Sequence, residues 1–224
     1  MNSIEIEVKV LLWEESEAKR LIENMKNSDP NLELIGKNSQ LNHYFLNWDF
    51  KVLLEKLKPL VSENDYKKVE HIAVEWKKHS VRTRYMNSDS ILVIKASIDD
   101  TTSSNWTART EAEVIFKWVH IDELDKMLLD CWFPYQAKWS RERDEYSFLD
   151  YTVCIDKNAW YWYVSEFEII INDPSKADEE KRKVREVIEK LWFEELDQGK
   201  LEKMFAYYNE NWRDYYWTDK TFTL

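Results

Sequence analysis

The sequence predicts an α+β fold: a closed eight-stranded antiparallel β-barrel with peripheral and C-terminal helices. Three observations lead there. About eight stretches alternate polar and apolar residues, the two-residue period of a strand with two different faces. Helical patterns are few and lie between or after those strands, with no internal repeat or low-complexity linker. A closed antiparallel sheet is also the arrangement that leaves no strand edge exposed.

The elements follow in chain order. Residues 3–12 alternate as a first strand, and residues 14–27 form a helix with Ala18, Leu21, Ile22 and Met25 on one face. Asp29-Pro30-Asn31 ends that helix with turn chemistry. Residues 40–47 read as extended. Two charged amphipathic segments, about 50–60 and 64–78, are split by Pro59 and read as helices. Strands are expected at 80–86, 90–98, 107–117, 135–147, 150–156 and 162–172, interrupted by a helix at about 121–130 carrying Ile121, Leu124, Leu128 and Leu129. Two helices, 176–191 and 197–209, close the pattern, and the aromatic tail Trp212–Phe222 packs over the barrel or its end. The division is therefore a barrel domain over 1–175, with a helical insertion at about 50–78, and a C-terminal helical extension over 176–224 that packs on it.

Composition narrows the function classes. At 224 residues the chain is long enough for a core that needs neither disulfide nor structural metal. Cys131 and Cys154 lack metal-ligand spacing and read as free intracellular thiols. No run reaches the roughly 20 apolar residues of a membrane span, and Met1-Asn2-Ser3-Ile4-Glu5 has no apolar signal core. A cytoplasmic protein without a membrane partner is expected. The formal charge of −11 argues against a nucleic-acid-binding surface. It leaves room for a basic cavity inside an acidic shell.

Strand alternation turns the charged residues into such a cavity. In Glu5-x-Glu7-x-Lys9 the three charged side chains share one face, while Ile4, Ile6, Val8 and Val10 take the other. Arg82 and Arg84 share a face, as do Arg109, Glu111 and Glu113, then Arg141 and Arg143, then Glu166 and Glu168. Lys95 lies within the apolar stretch 91–96, and Asp156 closes Val153-Cys154-Ile155. A solvated face is the ordinary explanation for one charged strand. Here the pairs are like-signed, and like charges two residues apart repel unless an opposite partner faces them. Closing the sheet brings acidic and basic faces together. Carboxylates there suit Mg²⁺ or Mn²⁺, hard cations that take oxygen ligands. Arginine and lysine suit phosphate oxygens.

Glu5-x-Glu7-x-Lys9 resembles the ExExK signature of the CYTH proteins, the triphosphate tunnel metalloenzymes. The later elements follow in that family's order: Arg82-x-Arg84, Lys95, Arg109-x-Glu111-x-Glu113, Arg141-x-Arg143-x-x-Tyr146, Asp156 and Glu166-x-Glu168. The resemblance covers residues 3–172. It implies an eight-stranded tunnel and hydrolysis of inorganic tripolyphosphate or a nucleoside or organic triphosphate, dependent on Mg²⁺ or Mn²⁺. By that resemblance Glu5, Glu7, Glu111, Glu113, Glu166 and Glu168 are the metal-side carboxylates, with Asp156 assisting. Lys9, Arg82, Arg84, Lys95, Arg109, Arg141 and Arg143 grip phosphate, and Lys9 orients or activates the attacking water. Lys138 has the opposite parity to Arg141 and ranks below it. Two other functions stay open: a class IV-type adenylyl cyclase making cAMP from ATP, and a non-catalytic polyphosphate- or nucleotide-binding module. The insertion and the C-terminal helices are open as lids, a homodimer surface or partner sites.

The chain has two glycines and twelve tryptophans, where ordinary usage of about 7% gives roughly 16 glycines. Trp132, Trp160 and Trp162 stand where the family has glycine, and Trp48 and Trp106 stand beside Asn or Asp in expected turns. That pattern suggests UGA codons read as glycine at the source; UGG at Trp160 and Trp162 would end the idea. Trp139, inside a strand, reads as a genuine tryptophan. His43, His71, His79 and His120 form no ligand pair and read as surface residues, with His43 and Tyr44 open as a border of the tunnel mouth. The sequence contains no P-loop and no GxSxG.

Overall fold

The computed structural model describes residues 4–46, 48–75, 79–97, 106–159 and 162–221; the side chains of residues 75, 97, 106–109, 162 and 174 lie outside that description. Among the described residues the fold is α+β, with eight antiparallel strands and six α-helices. In order these are β1 (Ile4–Trp13), α1 (Glu15–Ser28), β2 (Glu33–Phe45), α2 (Phe50–Leu57), α3 (Glu63–Glu75), β3 (His79–Met86), β4 (Asp89–Ser97) and β5 (Trp106–Phe116). Then come α4 (Ile121–Asp130), β6 (Tyr135–Phe148), β7 (Tyr151–Asn158), β8 (Trp162–Ile171), α5 (Ala177–Lys190) and α6 (Gln198–Tyr215).

The ladder order is β1-β5-β4-β3-β2-β6-β7-β8, and β1 pairs with β5 on one side and β8 on the other. Register places Glu7 opposite Glu168, Lys9 opposite Glu166, Lys95 opposite Glu111, and Arg143 opposite Asp156. No helix among the described residues is long and apolar enough to cross a membrane.

The apolar cores lie on the outer side of the sheet, where the helices cover it. Val8, Val10 and Leu12 of β1 pack with Ala18, Leu21 and Met25 of α1 and with Val184 and Ile188 of α5. Across the molecule, Val81, Leu92, Ile94 and Val114 pack under Leu53 and Leu57 of α2, Val69 and Ile72 of α3, and Leu124 and Leu128 of α4. Each fully buried side chain of this size contributes about 1.5–3 kcal/mol. The charged face is thereby turned to the other side. A third cluster seats α6: Met204, Tyr208 and Trp212 pack on Ala137, Val164, Leu11 and Trp139. Those four strand positions share the parity of the charged residues, so α6 covers one end of the charged face. Side-chain caps fix two helix starts, Asp49 accepting from the Lys51 amide and Asp197 from the Lys200 amide.

Several expectations shift. β2 begins at Glu33, seven residues before the extended segment expected at 40, because its first half pairs with the distal half of β6 and is held by that ladder. α6 continues to Tyr215 and takes in the start of the aromatic tail. Trp106 opens strand β5 and does not sit in a turn. Trp160 lies outside the described residues, and Trp162 opens β8. The expectation of surface histidines fails at His43, which is 1% exposed. Its Nδ1 lies 2.6 Å from Asp125 Oδ2 and its Nε2 lies 2.7 Å from the Tyr216 hydroxyl. Having the opposite parity to Asn42 and Tyr44, it faces α4 and the tail.

Among the described residues, eight that are not glycine have positive φ, and five of these are tryptophans: Trp13, Trp118, Trp132, Trp192 and Trp217. Trp132 (φ 68°) and Trp192 (φ 64°) follow α4 and α5. There the Phe133 amide donates to Leu128 and the Phe193 amide to Ile188, closing Schellman turns. A left-handed residue with a Cβ costs about 1–2 kcal/mol. Replacing Trp132 or Trp192 by glycine should therefore raise the unfolding free energy by about 1 kcal/mol each. Urea denaturation reads this, and a loss of stability in both variants would contradict it.

Candidate functional site

The inward parity of each strand delivers its predicted charges to one lining. Glu5, Glu7 and Lys9 come from β1, Arg82 and Arg84 from β3, Lys95 from β4, and Glu111 and Glu113 from β5. Arg141 and Arg143 come from β6, Asp156 from β7, and Glu166 and Glu168 from β8. The Arg109 side chain lies outside the described residues; its backbone pairs with Glu5. Lys138 stands apart from this set, 3.5 Å from Asp125 on the α4 side.

The lining is knitted by ion pairs. Lys95 Nζ lies 2.8 Å from Glu5 and 2.6 Å from Glu111. Lys9 pairs with Glu7 and lies 3.1 Å from Glu166. Arg143 donates through Nε and Nη2 to both oxygens of Asp156, at 2.6 and 2.7 Å, and also to Glu166. Arg141 reaches the same Asp156 carboxylate at 2.6 Å. Asp156 is thus held between two guanidinium groups and is fully buried. Arg84 lies 3.2 Å from Glu113, and Arg82 lies 4.0 Å from Glu111.

The basic side of the lining is crowded. Burial, with Arg82 and Arg141 beside it, disfavours the charge of Arg84. Arg82 Nε is buried with no hydrogen-bond partner among the described residues. Cations so arranged call for an anion with several acceptor oxygens. Burial works against the charge of Glu111, but Lys95 and Arg82 outweigh it and hold that carboxyl down at about 2. Burial and then Glu111 push Glu113 up.

The acidic side is different. Glu5, Glu7 and Glu168 each offer a carboxylate oxygen, and those oxygens lie within 4.8 Å of one another. An all-oxygen set of this kind fits Mg²⁺ or Mn²⁺. Burial, opposed by Arg143 and reinforced by Glu5 and Glu166, pushes Glu168 up to about 7.

The structure adds Asn38, Gln40 and Asn42, which the sequence does not mark, and places beside them Tyr44, left open by the sequence as a border of the tunnel mouth. Asn38, Gln40, Asn42 and Tyr44 of β2 share the inward parity and lie between the two arginine strands. Arg82 Nη1 donates to the Tyr44 hydroxyl at 2.7 Å. Burial alone would raise that phenol, but Arg82, Arg141 and Arg84 outweigh it and bring it down to about 8. Trp139, 5.2 Å from the Tyr44 ring, closes this end with Phe205 and Tyr208 of α6. Alternation through 38-40-42-44 was the available signal; amides and a phenol carry no charge to mark it.

Neither family models nor curated proteins match the sequence. Solved structures do. The PH1819 protein of Pyrococcus horikoshii OT3 superposes with TM-score 0.59 at 18% identity, covering 89% of this chain and 99% of that one. A candidate adenylate cyclase of Vibrio parahaemolyticus gives TM-score 0.58 at 10% identity, covering 92% and 99%. The PH1012 protein of Pyrococcus horikoshii OT3 gives 0.56 at 14%, covering 84% and 89%. At these identities the likeness is one of fold. It agrees with the resemblance to the CYTH, or triphosphate tunnel, fold that the motif order carries.

Two outcomes follow from the lining. Asp156→Ala leaves two buried guanidinium groups without their carboxylate and should cost about 3–5 kcal/mol of stability; thermal unfolding reads it, and an unchanged midpoint would contradict it. Cation binding at Glu5, Glu7 and Glu168 requires Glu168 to lose its proton, so Mn²⁺ affinity should climb as pH rises through about 7. A calorimetric titration flat between pH 6 and 8, where Glu168 changes charge, would refute that.

Proposed function

We propose that this chain hydrolyses a triphosphate, inorganic tripolyphosphate or a nucleoside or organic triphosphate, inside a tunnel formed by the ring of eight ladders read as a closed barrel. The observation that carries the reading is the convergence of Arg82, Arg84, Arg141, Arg143 and Lys95 on a face that also holds the Glu5–Glu7–Glu168 oxygen cluster. One set suits a polyphosphate and the other its counter-cation. The tunnel unit is 1–175, with 176–224 as an extension whose helix α6 covers one end.

The residues divide the work. The guanidinium groups and Lys95 bind and orient the phosphates, and positioning with charge stabilisation is most of what phosphoryl transfer requires. When bound at the acidic cluster, Mg²⁺ or Mn²⁺ supplies charge neutralisation and Lewis acidity toward phosphate oxygens. Lys9, held between Glu7 and Glu166, orients the attacking water. α6 and Trp139 keep bulk water from that end. A cyclase is the second reading, favoured by the Vibrio parahaemolyticus neighbour's name.

The test is product release from tripolyphosphate, ATP, GTP and thiamine triphosphate with Mg²⁺ or Mn²⁺. Orthophosphate should appear with the parent and fall at least a hundredfold in Lys9→Ala. Pyrophosphate with cAMP from ATP would replace the hydrolase by the cyclase, and binding without turnover would leave a binding module.

A further inference from the structure

The inward residues of β2 form a one-way relay. Arg84 Nε donates to Asn42 Oδ1 at 3.0 Å, and Arg141 Nε donates to Gln40 Oε1 at 2.9 Å. Arginine can only donate, so both amides must turn oxygen toward it. That choice propagates. Asn42 Nδ2 then donates to Gln40 Oε1 at 3.3 Å, Gln40 Nε2 to Asn38 Oδ1 at 2.7 Å, and Asn38 Nδ2 to Glu145 Oε1 at 3.0 Å. The relay ends on a carboxylate, which can only accept. Gly36 lies opposite Glu145, and a Cβ there would stand 3.3 Å from the carboxylate. One of the chain's two glycines thus makes room for the terminus of the relay.

We propose that Asn38, Gln40, Asn42 and Glu145 are positioning residues that fix the Nε side of Arg84 and Arg141 and so orient both guanidinium groups toward a polyphosphate. The Nη1 atoms of these arginines also meet carboxylates, Glu113 at 3.2 Å from Arg84 and Asp156 at 2.6 Å from Arg141. An amide acceptor at Nε fixes the guanidinium plane without adding a further negative charge, whereas Arg143 has a carboxylate at Nε as well. The proposal rests on the tunnel being a triphosphate site.

Glu145→Lys separates this from simple electrostatics. Lysine is donor-only, so Asn38 must turn its oxygen to it, Gln40 must then turn its oxygen to Asn38, and Arg141 Nε meets an NH₂ group. Added positive charge alone would tighten tripolyphosphate binding; reversal of the relay weakens it. We expect the tripolyphosphate Kd to rise about tenfold at an unchanged unfolding midpoint, with the same direction in Gln40→Met. The outward-facing Glu142→Gln should bind as the parent does. Nitrogen NMR of the Arg84 and Arg141 Nε–H groups is recorded on the same proteins without ligand, and Glu145→Lys should shift both resonances. Tighter or equal binding in Glu145→Lys and Gln40→Met, or unmoved resonances, overturns the relay. A parent that does not bind tripolyphosphate while the resonances shift overturns the triphosphate site and leaves the relay intact.

A separate observation carries a second inference. Among the described residues five tryptophans have φ between 58° and 68°, while neither glycine has a positive φ. Four of the five, Trp118, Trp132, Trp192 and Trp217, are at least 69% exposed. Large aromatic side chains gain nothing in left-handed, solvent-facing turns, and glycine is the residue such positions select. The geometry points to glycine at positions 13, 118, 132, 192 and 217 of the protein as its source organism makes it, through UGA codons assigned to glycine. Reading the source DNA decides it. UGA at those positions with UGG at Trp139, which lies inside β6, is the expected result, and UGG throughout overturns it.

Discussion

Everything in this fold depends on facing charged residues of both signs to the inside of a sheet, where they must neutralise one another. The two-residue strand period makes the demand, since Glu5, Glu7 and Lys9 cannot face inward unless Ile4, Ile6 and Val8 face outward. The outward residues then need cover, and α1 to α5 supply it. The inward ones need partners. Asp156 between Arg141 and Arg143, and Lys95 between Glu5 and Glu111, are where that need is met most tightly. Pairing at this depth offsets a desolvation penalty that neither charge would survive alone.

Neutralisation is uneven, and the unevenness is what makes a site. Arg143 is saturated by carboxylates, whereas Arg84 and Arg141 turn their Nε to neutral amides and Arg82 turns a hydroxyl-bonded face to Tyr44. Glu168 is pushed toward its protonated form by burial, with Glu5 and Glu166 adding to it. A polyphosphate carrying a divalent cation, the proposed ligand, would relieve both strains together. The same reasoning explains why an acidic chain can hold an anion site: the net charge describes the outer surface, and the lining answers to its own partners.

Much of this was legible in the sequence for one reason. Charged residues at alternate positions name their own face, so the parity of Glu5, Arg82, Glu111, Arg141 and Glu166 could be read without a structure. Neutral residues name nothing. Gln40, Asn42 and Tyr44 sit in the same alternation, yet only their neighbours across the sheet reveal what they hold. The early start of β2 was hidden because its first half relies on β6 for pairing. His43 looked like a surface residue because its partners, Asp125 and Tyr216, are remote in sequence. The shortage of glycine was visible in composition, but only φ angles show which tryptophans stand in glycine positions.

The most direct test of the central claim is a crystal structure with tripolyphosphate and Mn²⁺, the metal located by its anomalous scattering. Manganese should sit on Glu5, Glu7 and Glu168, with phosphate oxygens against Arg82, Arg84 and Arg141. Phosphate bound only outside the sheet, or manganese away from those three carboxylates, would contradict it.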